Sequence, residues 1–435
     1  MFDTFRNAWK IPELRKKILY TVMILVIFRL GCAITVPYIN REALTAFFAT
    51  AGGSGNMLDY LNMMSGGALS QCAIFALSVQ PYINASIIIQ LLTVAIPALE
   101  RMSKEGEEGR RKLTRITRYT GAGFAVAMSI GYYTIVRNQY GAVAYTTGWQ
   151  GWLAGIVIVL SFTAGAQLIT WLGEQIDTNG IGNGVSLLIF TGIISRWSDV
   201  INSVRDLLTR AANGEPKYYV FMPLIAILAL VVVMFVVVLT SGERRIPVQY
   251  AKRVVGRKMY GGQATHIPLK VNMSGVMPVI FASMLASIPG MIGSFVHPKA
   301  GGFWESFFRV FNYRSFLYAV VLFLLIIAFN YFYVAIQYNP VEIANNLRKN
   351  NGAIPGIRPG KPTSDFISKS LSKITLIGAL FLGVVAILPI ILGNITGTNI
   401  QLGGTSLLIV VGVALDTSRS MESYMLMRHH KGFLE

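Results

Sequence analysis

Ten apolar stretches constrain the fold of this chain more than any other feature of its sequence. Most of them are close to the ~20 residues that an α-helix needs to cross the hydrocarbon of a bilayer. The chain is 53% hydrophobic and only 13% charged, which is typical of one polytopic membrane domain. We therefore predict an all-α membrane protein with ten transmembrane helices, at residues 18–37, 72–98, 119–136, 152–172, 185–201, 220–240, 273–296, 316–337, 374–392 and 403–421.

The loops between these stretches differ strongly in charge. Lys and Arg concentrate in alternate loops, on the side that also holds both termini when ten helices cross the membrane. By the positive-inside rule that side is the cytoplasm. The net charge of +18 has two interpretations: it reflects this topology, or it also provides a surface for anionic lipid or RNA.

Neither a removed signal peptide nor a disulfide framework is expected. No small-residue cleavage site follows the first apolar run, so we expect that run to remain as a membrane helix. Cys32 and Cys72 lie inside or beside apolar runs and imply no disulfide.

Loop lengths suggest two halves of five helices each. The first five spans are tightly connected, whereas the second five are separated by two long basic loops, 241–272 and 338–373. Because five is odd, related halves must be inverted in the membrane. We expect an N-terminal half at 1–172 with helices 1–4, helix 5 and a hinge region at 173–216, and a C-terminal half at 217–435 with helices 6–10.

A short amphipathic helix precedes the second span. Residues 57–67 allow about two helical turns, follow a Gly-rich stretch and end at Gly66 and Gly67. Glycine permits sharp bends, and the segment is too short to span a bilayer. Two interpretations stay open: an interfacial helix lying on the lipid, and a re-entrant segment buried within the protein.

The second span carries polar residues beside an apolar face. Val79, Ile83 and Ile87 lie four residues apart, and Asn84 belongs to a neighbouring polar stripe. Packing through Asn and small residues would explain this pattern. The alternative is a helix that lines a cavity or an interface that opens.

No nucleotide, metal or catalytic site is predicted. Gly180, Gly182 and Gly184 follow no strand and do not complete a dinucleotide motif, so a tight cytoplasmic turn is the better interpretation. The four histidines lie in loops or in the C-terminal tail, without a metal-ligand partner at useful spacing. We expect no cofactor and no enzymatic activity.

Charges within the spans are few. Arg29, Glu174 and Asp416 lie near span ends, where snorkelling to the interface explains them. A secondary transporter for a small solute is the alternative function that inverted halves would favour, but it ordinarily needs an ionisable residue at mid-membrane. An intramembrane enzyme ranks third, since no His, Asp or Ser constellation lies at depth.

Several segments together resemble the SecY family, the channel subunit of the bacterial Sec protein translocon. They occur in the family's order over nearly the whole chain: Met63–Ser70 (MMSGGALS), Pro81–Leu92 (PYINASIIIQLL), Glu105–Lys112 (EGEEGRRK), Trp171–Phe190, Thr265–Met273 (THIPLKVNM), Pro355–Gly360 (PGIRPG) and Gly403–Val410 (GGTSLLIV). The resemblance implies a passive protein-conducting channel with two inverted halves. Such a channel passes secretory polypeptides across the membrane and releases transmembrane segments laterally into lipid.

The resemblance also assigns roles to residues of this chain. It implies an apolar pore ring at Val79, Ile83, Ile189, Ile280 and Ile409. A re-entrant plug helix would follow at 57–67, with Met57, Leu58, Tyr60, Leu61, Met64, Gly66 and Gly67. The lateral gate would lie between spans two and three on one side and spans seven and eight on the other, near Asn84, Ile87, Met128 and Asn272. Met128 replaces the Gln or Glu that relatives often carry, which predicts a weaker polar cluster.

Partners follow from the same resemblance. It implies SecE and SecG subunits, the motor ATPase SecA, the ribosome, signal sequences, nascent polypeptides and anionic lipids. The docking loops for SecA or the ribosome would present Arg244, Arg245, Arg253, Arg257, Lys258 and Arg358. The expected location is the bacterial plasma membrane, with both termini in the cytoplasm.

Overall fold

The computed structural model describes residues 6, 8–40, 62, 65–138, 141–212, 217–250, 253–255, 258–260, 264–296, 302, 304, 307–308, 315–396 and 404–431. Most of the described chain is helical. The helices of the first part are α1 (Pro12–Gly31), α2 (Gln80–Ala95), α3 (Pro97–Lys104), α4 (Glu107–Asn138), α5 (Gly148–Asn179), α6 (Gly184–Ser195) and α7 (Trp197–Ala212).

The second part combines helices with short strands. Its helices are α8 (Lys217–Ser241), α9 (Met277–Val296), α10 (Phe316–Gln337), α11 (Pro340–Lys349), α12 (Lys361–Thr396) and α13 (Gly404–Lys431). Its strands are β1 (Glu243–Tyr250), β2 (Arg253–Val255), β3 (Lys258–Tyr260), β4 (Ala264–Lys270) and β5 (Gly352–Ala353).

Helix packing forms two groups that touch each other. In the first group α2 packs on α4, α4 on α5 and α5 on α6. In the second group α9 packs on α10, α10 on α12 and α8 on α13. The groups meet where α2 contacts α9 and where α6 contacts α13.

The polytopic all-α fold is confirmed, and the count of ten spans stays a prediction. In the described part of the chain four helices are long and apolar enough to cross a membrane: Gly148–Asn179, Met222–Ser241, Phe316–Lys349 and Lys361–Leu388. A bent pair, Gln80–Ala95 and Pro97–Lys104, adds a fifth candidate. Shorter apolar helices lie at Gly184–Ser195 and Met277–Pro289.

Two exposed tryptophans on α5 are separated by about the thickness of a hydrocarbon core. Trp152 is 65% exposed and Trp171 is 51% exposed. At 1.5 Å per residue the helix rises about 28 Å between them, close to the ~30 Å of a hydrocarbon core. Tryptophan prefers the membrane–water interface, so the two side chains fit the two edges of the membrane.

The boundaries of several predicted spans are wrong. The first helix ends at Gly31 instead of at residue 37. The second helix starts at Gln80 instead of Cys72, because residues 72–79 form turns, and it ends at Ala95 with a 102° bend into α3. The fifth helix ends at Ser195, and Trp197 starts the separate helix α7. By contrast, the eighth predicted span agrees at both ends with α10, Phe316–Gln337.

The two long basic loops form one folded body, which the sequence did not predict. Strand β1 pairs antiparallel with β4 and, at its far end, with β5 from the second loop. Ile246 and Val248 alternate inward from β1, and their side chains join Leu347 and Ile354 in a second hydrophobic core. Alternation with period two is what a strand needs to bury one face.

Candidate functional site: a buried apolar waist with polar anchors

Five buried aliphatic side chains, on or next to four helices, belong to the main hydrophobic core, and we call these five residues the waist. The five residues of the implied pore ring are all buried, with exposures between 1% and 6%, and all belong to this core: Val79, Ile83, Ile189, Ile280 and Ile409. Val79 and Ile83 belong to the start of α2, and the other three lie on α6, α9 and α13. Branched aliphatic side chains around a narrow path can form a constriction that excludes water and ions.

The start of α2 explains why Val79 lies at this position. Val79 is the residue before the first helical turn, and Pro81 occupies that turn, where a missing N–H costs nothing. Ser78 just before it has a φ of +51°, a left-handed conformation that few non-glycine residues adopt. The helix therefore begins directly after a turn-rich segment.

That turn-rich segment, residues 65–79, is called the return segment below. Most of its side chains are buried, and its turns are held by hydrogen bonds rather than by helix. Asn62 accepts from the backbone N–H of Gly67 and, through Oδ1, from that of Ser70, both at 2.9 Å. Non-helical backbone at membrane depth is tolerated only where protein or water surrounds it. The re-entrant interpretation of residues 57–67 stays a prediction, because most of them lie outside the described residues.

Only part of the implied plug can be located. Gly66 and Gly67 have φ values of +67° and +86°, where glycine is favoured. A Cβ atom on Gly66 would lie 3.0 Å from the Cα atom of Gly192 on α6. The remaining implied plug residues lie outside the described residues: Met57, Leu58, Tyr60, Leu61 and Met64.

Two anchors of the return segment were missed by the sequence analysis. Arg29 of α1 donates from Nη1 to the carbonyl of Gly66 at 2.8 Å, so it makes a contact within the protein where snorkelling was expected. Tyr132 of α4 donates from its hydroxyl to the carbonyl of Leu69 at 2.5 Å. An arginine at the end of an apolar run was the available signal for the first anchor, whereas no local pattern marks Tyr132.

The implied gate residues lie on helices that contact each other. Asn84 of α2 donates from Nδ2 to the sulfur of Met128 on α4 at 3.9 Å, and Ile87 is buried in the main core. Asn272 precedes α9. The hydroxyl of Ser274 donates to Oδ1 of Asn272 at 3.5 Å and also to Oδ1 of Asn330. A sulfur acceptor is weaker than an amide or carboxylate oxygen. The weaker polar cluster stays a prediction.

Asn330 is a buried polar residue of α10 that the sequence analysis did not use. It is 3% exposed, its Oδ1 accepts from the hydroxyl of Ser274, and its Nδ2 donates to the carbonyl of Thr375 at 3.0 Å. It thereby links α10 with α12 and with the segment that leads into α9. A lone Asn within the apolar run 316–337 was the signal that could have revealed it.

We expect Asn330→Ala to lower the free energy of unfolding by about 1–3 kcal/mol, because the buried Ser274 hydroxyl then keeps only its long contact with Asn272. The exposed Asn345 on α11 provides the matched control, and Asn345→Ala should change stability by no more than about 0.5 kcal/mol. Denaturant titration of the purified protein in detergent measures both. Equal effects of the two substitutions would contradict a stabilising role for the network.

A charge in the N-terminal half of α4 and one near the C-terminal end of α5 form an ion pair. Arg118 contacts both carboxylate oxygens of Glu174, with Nε to Oε1 at 3.1 Å. Hydrogen bonding to Glu174 raises the pKa of Arg118 above its usual value. Glu174 therefore has a protein partner as well, and a bidentate Arg–carboxylate pair fixes the two helices relative to each other.

The implied docking residues that the structure describes lie in the two basic loops. Arg244 and Arg245 are exposed on β1, and Arg245 pairs with Glu243 at 2.7 Å. Arg253 and Lys258 belong to the hairpin of β2 and β3, and Arg257 lies outside the described residues. Arg358 is exposed in the turn between β5 and α12. Among the described residues no three His, Cys, Asp or Glu side chains are placed to hold a metal ion.

Solved structures of protein-conducting channels share the fold. A SecY structure on the plug domain and the closed state matches with a TM-score of 0.64 and 18% identity, over 94% of this chain and 92% of that one. A structure of a protein-conducting channel matches with a TM-score of 0.63 and 16% identity over the same shares. The canine Sec61 channel in a ribosome complex gives a TM-score of 0.60. At these identities the likeness concerns the fold alone.

Sequence comparisons reach further. The protein-family model for SecY matches residues 73–418. Protein translocase subunit SecY of Thermotoga maritima is 40% identical over 100% of this chain and 98% of its own length. The subunit of the same name from Mycobacterium tuberculosis is 41% identical over 100% of both chains. With full-length identity at this level and a family match over most of its length, the chain belongs to the SecY family.

Proposed function

We infer that this chain is the channel subunit of a protein translocase, which conducts unfolded polypeptides across a membrane. The full-length identity of 40–41% to protein translocase subunits carries this conclusion. The buried waist supports it, since the motif-derived ring positions all fall within one core. The small-solute transporter is not favoured, because the related chains are named as translocase subunits.

In the proposed channel the waist prevents the passage of water and ions by its apolar side chains alone. At rest, Val79, Ile83, Ile189, Ile280 and Ile409 close the path, and a narrow apolar constriction loses its water. A translocating chain displaces these side chains, which then close around it. Aliphatic side chains suit this task because they form no directional bonds that a passing segment would have to break.

A lateral exit is proposed between α2 and α4 on one side and α9 and α10 on the other. These helices belong to the two packing groups. We propose an N-terminal half at 1–172 and a C-terminal half at 217–435, with 173–216, which contains α6, between them. The contact of α2 with α9 is the seam that would part. A hydrophobic signal helix gains ~25 cal/mol per Å² of apolar surface that it transfers to lipid.

The proposed channel depends on partners to drive translocation. We propose that it is not an enzyme and binds no cofactor, and that SecA or the ribosome docks on the exposed basic residues of the two loops. SecE, SecG and anionic lipids complete the proposed complex, in a bacterial plasma membrane with both termini in the cytoplasm. Basic side chains on a folded platform suit RNA phosphates and acidic protein surfaces alike.

Crosslinking to a stalled substrate tests the function. A photoreactive amino acid at Ile83 should crosslink to a preprotein stalled during translocation, because the side chain faces the proposed path at the waist. The same probe at Ile88, which is 37% exposed on the same helix, is the control and should give little product. Equal crosslinking at both positions would contradict the pore assignment, and a labelled small solute at Ile83 would favour the transporter.

A further inference from the structure

Two buried hydroxyl groups near the waist have no hydrogen-bond partner in the described part of the chain. Ser283 on α9 is 2% exposed and Thr405 on α13 is 5% exposed, and neither hydroxyl bonds to a protein atom. Ser287, also buried on α9, instead donates to the carbonyl of Met284 at 2.6 Å. Leaving a buried polar group without a partner costs free energy, so these two groups need an explanation. We call Ser283 and Thr405 the hydroxyl pair.

The hydroxyl pair lies one helical turn from the waist. Ser283 follows Ile280 by three residues on α9, and Thr405 precedes Ile409 by four residues on α13. Residues three or four positions apart share one face of a helix. Each hydroxyl therefore lies on the same helix face as a waist residue, about 4.5–6 Å further along the helix axis.

The helices α9 and α13 run in opposite directions relative to the basic loops. Helix α9 begins shortly after β4, the last strand of the first basic loop, and so leads away from it. Helix α13 approaches the same loop, because Arg419 near its C-terminal end donates to the carbonyl of Thr240 at 2.6 Å, where α8 ends and the loop begins. A residue after the waist on α9 and one before the waist on α13 therefore lie on the same side of it.

A close contact between the two helices fixes the register of the pair. Val276, just before α9, packs against Gly412 of α13, where an added Cβ atom would lie 2.2 Å from Cγ2 of Val276. Ser283 lies seven residues after Val276, and Thr405 lies seven residues before Gly412. Seven residues are two turns, so both hydroxyls lie ~10 Å from this contact, on the helix faces that make it.

A polypeptide in transit offers the partners that the hydroxyl pair lacks. Its backbone carries a C=O group at every residue and an N–H group at every residue except proline, whatever the side chains are. A hydroxyl can both donate and accept, so it can bond to either group. By contrast, the neighbouring residues Ala282 and Leu408 belong to the main apolar core, and their side chains form no hydrogen bonds. The chemistry of the site thus suits any polypeptide sequence.

We propose that Ser283 and Thr405 form a binding site for peptide groups of the translocating chain, and that their lack of a partner in the closed channel favours opening. The proposal rests on the channel function inferred above and adds a polar contact to the apolar waist. It predicts a distinctive sign. Removal of both hydroxyls should leave the closed protein at least as stable as before and yet slow translocation, whereas removal of a hydroxyl that stabilised the fold would lower its stability.

Crosslinking tests whether the pair faces the path of the substrate. A photoreactive amino acid at Thr405 of the intact complex in vesicles should crosslink to a stalled preprotein about as well as the same probe at Ile83. Thr375 is the matched control: it is a threonine at 3% exposure without a partner, and it lies on α12, which carries no waist residue. A yield at Thr405 no higher than that at Thr375 would overturn the proposal.

Removal of the hydroxyls tests their role. We expect Ser283→Ala combined with Thr405→Val to slow preprotein translocation about tenfold at equal abundance, which corresponds to ~1.4 kcal/mol. The denaturant midpoint of the resting complex should equal or exceed that of the parent. Thr375→Val should also keep the midpoint and should translocate at the parent rate. A lower midpoint in the double variant, or translocation at the parent rate, would show that the hydroxyls do not act as proposed.

Two measurements separate this proposal from the function on which it rests. If the parent complex does not translocate preprotein, the proposed function fails. If the parent translocates and Ile83 crosslinks to the stalled preprotein while Thr405 does not, the function stands and the hydroxyl pair is no peptide site.

Discussion

Arg358→Glu is expected to abolish SecA-driven translocation, and Arg358→Lys to impair it markedly while the channel still inserts into the membrane. Arg358 is exposed. Its turn is stabilised by two contacts: the carbonyl of Arg358 accepts from the Thr363 hydroxyl at 2.9 Å, and the side chain of Ile354 is buried in the second core. Pro359 fixes φ beside it. The side chain is thus presented with little ordering cost on docking, and its planar fork suits bidentate contact, which Lys reproduces poorly.

The measurement is translocation of a preprotein into vesicles that contain each variant at equal abundance. Lys369→Glu is the control, because Lys369 is exposed on α12 close by and undergoes the same charge reversal. It should retain most of the activity. Wild-type activity of Arg358→Lys would reduce Arg358 to one of the basic residues that set topology.

Ile83→Ser combined with Ile409→Ser should raise the resting ion conductance of the channel by at least about tenfold. Each substitution replaces a buried isoleucine with a small polar residue. The closed, water-free state thereby loses ~2 kcal/mol or more of the free energy gained from burying that apolar side chain. The two residues lie on α2 and α13, so the constriction is opened from two sides. A polar lining also retains water that an aliphatic lining excludes.

Planar bilayers with the purified complex provide the measurement. Ile88→Ser is the control, because Ile88 is on the same helix but 37% exposed. Its resting conductance should match that of the unmodified channel. Unchanged conductance in the double variant, with the fold shown to be intact, would count against the ring.

Much of the fold could be predicted from hydropathy alone. An apolar run such as 316–337 is long enough to cross a bilayer as a helix, which satisfies its backbone groups within the segment, and α10 has the predicted bounds. Hydropathy failed at 72–79, since this stretch is apolar yet forms turns. An apolar composition reports burial, but it does not report whether the backbone bonds within a helix or to other segments.

The ring and gate residues could be assigned only with the help of the family resemblance. Val79, Ile83 and Ile280 do not differ in type from ordinary core residues, so periodicity could not single them out. Their assignment remains a proposal that the common core supports. Arg29 and Asn330 could have been noticed as polar residues in apolar runs, but their partners could not be named.

The sequence by itself determined that the chain is a polytopic helical membrane protein of the SecY family, because hydropathy, loop charge and motifs are local properties. Only the tertiary structure decided which distant segments meet. The contact of Tyr132 with Leu69 joins residues 63 positions apart, and that of Arg29 with Gly66 joins residues 37 apart. The sheet that contains β1 and β5 likewise depends on pairing between strands that the spans α9 and α10 separate in the sequence. Such contacts are selected by packing and by the need to satisfy buried polar groups, which act on the folded chain as a whole.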